Sequence, residues 1–266
     1  MHAFNYHKAS SVADATAKFA ASDDARLLAG GQTLIAAMKM RLSAPADVID
    51  LGGIGELRGI KVEGGSVTIG AMTTHAAVAS SNEVAKAIPA LALLAGSIGD
   101  PMVRNMGTIG GSVANNDPAA DYPAALVGLG ASVVTSKRKI PADQFFTGIY
   151  ETALEPGEII TSVSFPVPKR ASYMKFKNPA SRYAMVGVFV AETGGSVRVA
   201  VTGAGPCVFR LPDMEKALGK SFSADALKGI KVSATDLNTD IHATAEYRAH
   251  LVSVMAQRAV EQALKK

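Results

Sequence analysis

The amino-acid sequence predicts an α+β protein of two domains meeting near residue 170, the larger in residues 1–170 and the smaller in residues 171–266. Three observations carry this expectation. Short apolar runs bounded by glycine alternate with stretches of helical periodicity, so no single period rules the chain. Pro166 and Pro168 close a strand-like run and suggest a boundary. Beyond them, two alternating runs joined by Thr193-Gly194-Gly195 read as a hairpin, and helical patterns follow. A chain of 266 residues, 48% of them hydrophobic, has enough apolar side chain to bury a sizeable core.

In chain order, Val12, Ala15 and Phe19 recur at helical spacing, with Ser10 or Ser11 as N-cap of a helix over residues 11–19. Residues 26–29 read as a buried strand running into Gly30-Gly31, and residues 33–41 (TLIAAMKMR) favour helix. Strand-type runs follow at residues 47–51 (DVIDL) and 66–71 (SVTIGA). Residues 81–98 read as helical at both ends, Pro89 marking a break or a new first turn. Residues 99–126 are rich in Gly, Asn, Asp and Pro and are expected to be largely loop until Tyr122 or Pro123. Residues 131–136 and 159–167 read as strands, and residues 186–192 and 197–202 form the hairpin. Helices are expected over residues 212–218 and from about residue 243 to the end, where Tyr247, Leu251, Val254 and Met255 share a face.

Composition excludes several classes of function. The formal net charge is +4, and the 27 Lys and Arg residues are scattered, so the footprint of a nucleic-acid binder is missing. The single Cys207 excludes an internal disulfide and any cysteine-clustered zinc or iron–sulfur centre held by this chain alone. His2, His7, His75, His242 and His250 show no metal-ligand spacing, and His75 reads as a hydrogen-bonded turn histidine rather than a catalytic one. The start MHAFNYHKASSVADA lacks a secretory pattern and no apolar span reaches 18 residues, so the protein is expected to be soluble and cytoplasmic.

Gly30-Gly31 and Gly110-Gly111 each sit where an apolar run meets a polar turn. Such turns can aim backbone N–H groups at an anion, and the missing Cβ lets a phosphate approach the main chain. A helix starting after Gly31 would add favourable partial charge. Read alone, either pair is more often a mere turn. Neither fits GxGxxG, and GxxxxGK[ST] is absent, which argues against nicotinamide or ATP as the main ligand.

The strings AGGQTLIAAMKMRLSAPADVIDL, TIGAMTTHA and GDPMVRNMGTIGGSVANNDPAADYPAAL, with DIHATAEYRAHLVSVMAQRAV near the end, resemble the FAD-binding medium subunit of the molybdenum hydroxylase family, which includes xanthine dehydrogenase and carbon monoxide dehydrogenase. The resemblance implies a non-covalent FAD and a domain of the vanillyl-alcohol-oxidase/PCMH type, made of two α/β subdomains over about residues 1–55 and 56–170. A smaller α+β C-terminal domain, a three-stranded antiparallel sheet with helices, would follow. It also implies partners: a large molybdopterin subunit and a small [2Fe-2S] subunit, assembled as a dimer of heterotrimers, with the molybdenum cofactor and the clusters confined to them. The rival reading is a stand-alone flavin oxidase, for which the chain is short.

Carried over by position, the first loop against the FAD diphosphate is Ala29, Gly30, Gly31, Gln32 and Thr33, flanked by Leu28 and Leu34, and the second is Thr108, Ile109, Gly110, Gly111 and Ser112. The resemblance places Asp121 at the ribose or adenine end, a role compatible with capping the helix after it. Ile98 and Ile160 match apolar positions near the cofactor, with ordinary core packing as the default for an isoleucine. Lys175 matches a lysine at the flavin pyrimidine edge, with a solvated surface lysine as the alternative. Tyr183 matches an aromatic that shields one face of the isoalloxazine. Valine at Gly110 or Gly111 is expected to abolish FAD retention by filling the phosphate's approach.

Overall fold

The computed structural model describes residues 1–265. The chain starts with strand β1 (Asn5–Lys8), helix α1 (Val12–Ala20), β2 (Ala25–Leu28), α2 (Leu34–Lys39) and β3 (Asp47–Asp50). The three strands are parallel, with β3 central, and Ile49 lies level with His7 on one side and Leu27 on the other. Of the two serines that could cap α1, Ser11 does so, its hydroxyl accepting from the Asp14 N–H at 3.0 Å. β1 has no counterpart in the sequence reading, because NYHK carries one side chain of strand type among polar neighbours and stays mostly exposed.

The chain then forms β4 (Ile60–Glu63), β5 (Ser66–Gly70), α3 (His75–Ser80), α4 (Asn82–Ala87) and α5 (Pro89–Gly96). Pro89 is the first residue of α5, where its missing N–H costs nothing. Next come α6 (Pro101–Met106), α7 (Ile109–Asn115) and α8 (Tyr122–Leu129). The expected long loop over residues 99–126 is thus corrected to two short helices separated by a turn. Asp100 accepts from the Val103 N–H at 2.9 Å and Thr108 from the Gly111 N–H at 3.2 Å, while Asn116 ends α7 in the left-handed region at φ +44°. These caps hold helices that their Gly, Asn and Pro content disfavours.

After β6 (Ser132–Thr135), β7 (Lys139–Pro141) and a small ribbon of β8 (Phe146–Gly148) with β9 (Glu151–Thr152), β10 (Ile160–Pro166) returns to the middle of a five-stranded sheet ordered β4-β5-β10-β6-β7. Every ladder in that sheet is antiparallel, unlike the first. All eight residues of α8 are buried. A helix apolar all round belongs between layers, and α8 lies between β10 and the sheet that follows.

That sheet comprises β11 (Arg170–Lys177), β12 (Ala184–Thr193) and β13 (Ser196–Thr202), all antiparallel, with the two-residue β14 (Phe209–Arg210) added at the edge as a fourth strand. The β12–β13 turn uses Gly194 and Gly195 at φ +57° and +82°, a conformation that matches the twist of a tight hairpin. The first eight residues of β12 are buried because both faces are covered. Phe189 and Ala191 join the core of the five-stranded sheet, whereas Val186, Val188 and Val190 face α9 (Pro212–Lys220) and α10 (Ala245–Leu264). On α10 the buried stripe is Leu251, Val252, Met255, Ala256, Ala259 and Val260, and Tyr247 lies outside it, half exposed.

Candidate functional site

The two glycine turns, some 80 positions apart in the chain, touch. A Cβ built on Gly30 would lie 2.3 Å from the Met106 carbonyl oxygen and 2.7 Å from the Gly107 Cα, and one on Gly111 would lie 3.2 Å from the Ala29 Cβ. Between them opens a cavity of about 650 Å³. Every site residue named from the sequence lines it except Leu28 and Ile109. Ile109 is fully buried, its N–H donated to the Thr73 carbonyl at 3.1 Å.

The two turns differ in what they offer. Gly31 is held at φ +71°, which glycine adopts freely. Among the described residues nothing accepts from the N–H groups of Gly31, Gln32 or Thr33. α2 begins only at Leu34 and is six residues long, so the free donors on this stretch of cavity wall belong to the loop and not to a helix end. In the second turn the Gly110 N–H goes to the Ala71 carbonyl at 2.8 Å and the Gly111 N–H to the Thr108 hydroxyl. What remains there is hydroxyl chemistry: Thr108 keeps its own proton to donate, and Ser112 lines the cavity. Gly110 is required by packing, since a Cβ would sit 2.6 Å from the Ala71 Cβ and 2.8 Å from its carbonyl oxygen. The expected reason for its glycine, clearance for a phosphate, therefore gives way to clearance for the chain itself.

Asp121 and Lys175 meet. The Lys175 ammonium donates to one Asp121 oxygen at 2.9 Å and the Tyr173 hydroxyl to the other, with Asp121 5% exposed. Burial pushes the Asp121 carboxyl above its ordinary range, against the opposing pull of Lys175 and Tyr173. Three sequence readings change as a result. Asp121 stands at the N-cap position of α8, but its side chain makes no capping bond, its oxygens being committed to Tyr173 and Lys175. Lys175 is no solvated surface lysine, its side chain being 7% exposed. A carboxylate at the adenine end and a lysine at the pyrimidine edge cannot describe residues in contact, so the pair faces one part of any ligand. Ile160 is buried and Ile98 half-buried, both in the main core as well as the cavity wall.

Glu158 and His75 also stand on this wall. Glu158 is buried, with Arg138 and the Thr135 hydroxyl on Oε1 at 3.1 and 2.6 Å, and its pKa is held down to about 2, chiefly by Arg138. His75 is the first residue of α3, where Thr74 caps the helix, and its ring lies 5.4 Å from that of Tyr122. The expected hydrogen-bonded turn histidine is corrected: Nδ1 is buried without a partner, and so is the Tyr122 hydroxyl. Nothing in TTHA announces this.

Burial, with the Arg104 charge behind it, lowers the His75 pKa from 6.5 to about 4. Above pH 6.5 the imidazole is neutral folded and unfolded and contributes nothing to the pH dependence. Between pH 6.5 and 4 the unfolded chain binds a proton that the folded chain refuses, so stability falls as pH falls, by up to ~1.4 kcal/mol per pH unit. His75→Gln should flatten the acid side of the urea-midpoint profile of the cofactor-free protein within that window. An unchanged slope would show that His75 is already protonated in the fold.

Among the described residues no helix is long and apolar enough to cross a membrane, and no group of three or more His, Cys, Asp or Glu side chains could hold a metal ion. The donor set of free loop N–H groups, hydroxyls and a buried imidazole in a cavity of this size fits a dinucleotide diphosphate with its ring.

Comparison with known proteins agrees. Residues 2–168 match the model of the FAD binding domain in molybdopterin dehydrogenase, and residues 171–263 that of the CO dehydrogenase flavoprotein C-terminal domain. The chain is 38% identical to the carbon monoxide dehydrogenase medium chain of Afipia carboxidovorans, over 98% of its own length and 96% of that relative's. It is 37% identical to the nicotine 6-hydroxylase medium subunit of Paenarthrobacter nicotinovorans, over 98% and 97%. The crystal structure of the cyanide-inactivated Cu,Mo-CO dehydrogenase superposes with a TM-score of 0.92 at 37% identity, covering 99% of this chain and 98% of that one. This chain therefore belongs to the FAD-binding family of the molybdopterin dehydrogenases and is the flavoprotein component of an oxidoreductase, with FAD as its cofactor.

Proposed function

We propose that this chain is the electron-transferring medium subunit of a cytoplasmic heterotrimer, with a domain division near residue 170. It would receive electrons from [2Fe-2S] clusters on a small subunit after substrate is oxidised on a large molybdopterin subunit, in a dimer of heterotrimers. The observation that carries this reading is the meeting of the two glycine turns on one cavity, one offering N–H groups and the other hydroxyls.

FAD, when bound, supplies a carrier that takes up electrons and passes them to an external acceptor. The chain's own residues do the rest. Gly31, Gln32 and Thr33 would hold the diphosphate through their N–H groups, and Thr108 and Ser112 through their hydroxyls. The Asp121–Lys175 pair fixes an ammonium in the cavity wall, and Ile98 and Ile160 give that wall apolar surface. Tyr183, 51% exposed, forms part of the rim and would cover one ring face.

Purification of the native assembly tests the proposal. One FAD per chain, a large and a small chain in equal amount, and molybdenum and iron in the complex are the expected results. A flavin-bearing chain that purifies alone and oxidises a substrate unaided would favour the rival oxidase. Tyr183→Ala should retain FAD and be reoxidised by oxygen several-fold faster, because the ring no longer shields the flavin. A stopped-flow trace identical to wild type would remove Tyr183 from the site.

A further inference from the structure

A second cleft, of about 320 Å³, shares a wall with the large cavity: Asp117, Ser181 and Tyr183 line both. Two phenols flank it, Tyr150 at 59% exposure and Tyr183. Tyr150 is held at φ +54°, in the left-handed region that a tyrosine enters at a cost, by its N–H on the Asn116 carbonyl and its hydroxyl on Asp117. Asn178 also lines the cleft and is 8% exposed. Its Oδ1 accepts from the Ala180 and Ser181 N–H groups at 2.9 and 3.1 Å, which fixes the orientation of the amide. Nδ2 is then the free end, and among the described residues no acceptor answers it.

The charges in this cleft constrain its ligand. Arg248 is buried there, with Nη1 on the carbonyls of Met185 and Gly203 and Nη2 on Asp240 at 2.7 Å. Against that one guanidinium stand the carboxylates of Asp240 and Asp117, so no net positive charge invites a phosphate. At half the volume of the large cavity, the cleft has room for one or two fused rings and not for a dinucleotide. Aromatic flanks, a free amide donor and no surplus of positive charge suit a neutral, planar molecule bearing carbonyl oxygens.

The geometry points to this cleft as the docking site of the external electron acceptor, a neutral ring of the quinone class seated between Tyr150 and Tyr183, with one carbonyl accepting from Asn178 Nδ2. The inference rests on the FAD reading above, since the shared wall puts the acceptor next to the flavin cavity. The quinone gains two electrons and two protons, its carbonyls becoming the hydroxyls of the hydroquinone, and the reduced flavin loses the same two electrons and two protons.

The test uses the full chain loaded with FAD and tetramethyl-1,4-benzoquinone, whose fully substituted ring resists addition of the Cys207 thiol. Calorimetric titration of the oxidised protein reads binding without turnover, and NAD is titrated alongside. Asn178→Asp keeps the acceptor for the two backbone N–H groups and removes the donor, and Ala119→Phe fills the cleft; neither position lines the large cavity. Expected are one site in wild type, binding about tenfold weaker in Asn178→Asp and none in Ala119→Phe. FAD content and reoxidation by ferricyanide should stay at wild-type level. Equal quinone binding in all three proteins, none in FAD-loaded wild type, or tighter binding of NAD would each overturn the inference. If the chain fails to hold FAD, the earlier reading falls, yet the same titration of the flavin-free chain still decides whether the cleft binds the ring.

Discussion

Gly30→Ala is expected to leave less than about a tenth of the wild-type FAD after gel filtration, because the added methyl collides with main chain and not with a movable side chain. Its Cβ would stand 2.3 Å from the Met106 carbonyl oxygen and 2.7 Å from the Gly107 Cα. Relief requires the first turn to move away from the second, at a cost of ~1–3 kcal/mol for overpacking of this kind. Gly110→Ala meets a similar obstacle in Ala71. Gly111→Ala is the internal control: its nearest contacts are the Thr108 Oγ1 at 3.0 Å and the Ala29 Cβ at 3.2 Å, which a shift of a few tenths of an ångström relieves. FAD retention should therefore rank Gly111→Ala well above Gly30→Ala and Gly110→Ala. Full flavin occupancy in Gly30→Ala, measured by absorbance against protein, would mean that contact between the turns does not shape the site.

The same contact shows how far a sequence can be read. Glycine pairs flanked by apolar runs are visible in one dimension, and so are α1, β2, β3, β12 and β13, whose periodicity and turn residues agree with what surrounds them. β1 and β4 escape because NYHK and IKVE stay largely exposed and carry little alternation. α6 and α7 escape because composition outweighed the caps at Asp100 and Thr108, although Asp100-Pro101 is a standard start signal. Within the site, the residues of the two turns could be named one by one, but not the division of labour between them. Whether a turn N–H is free depends on the Ala71 and Thr73 carbonyls, which the fold brings from some 40 positions away. The unpartnered His75 nitrogen and the pairing of Asp121 with Lys175 are likewise products of tertiary packing.

That pairing carries the second large effect. Asp121→Ala leaves an ammonium 7% exposed with no counter-charge and only the Ser97 carbonyl, at 3.3 Å, as acceptor, and removes the acceptor of the Tyr173 hydroxyl. Breaking a buried pair by deleting one partner typically costs ~3–5 kcal/mol, because the surviving charge stays desolvated. A loss of that size in urea denaturation, together with loss of FAD, is the expected outcome. Burial raises the Asp121 carboxyl in spite of its cationic neighbour, and a buried ion pair replaced whole by apolar side chains is commonly neutral or even stabilising. It follows that Asp121→Ala with Lys175→Met, which removes both charges, should regain most of the stability lost in the single variant, though the Tyr173 hydroxyl remains unanswered. Flavin binding should not return with it, because the double variant lacks the ammonium held in the cavity wall. Recovery of stability and FAD together would show that the cluster serves the fold alone; recovery of stability without FAD would place the Asp121–Lys175 pair at the cofactor.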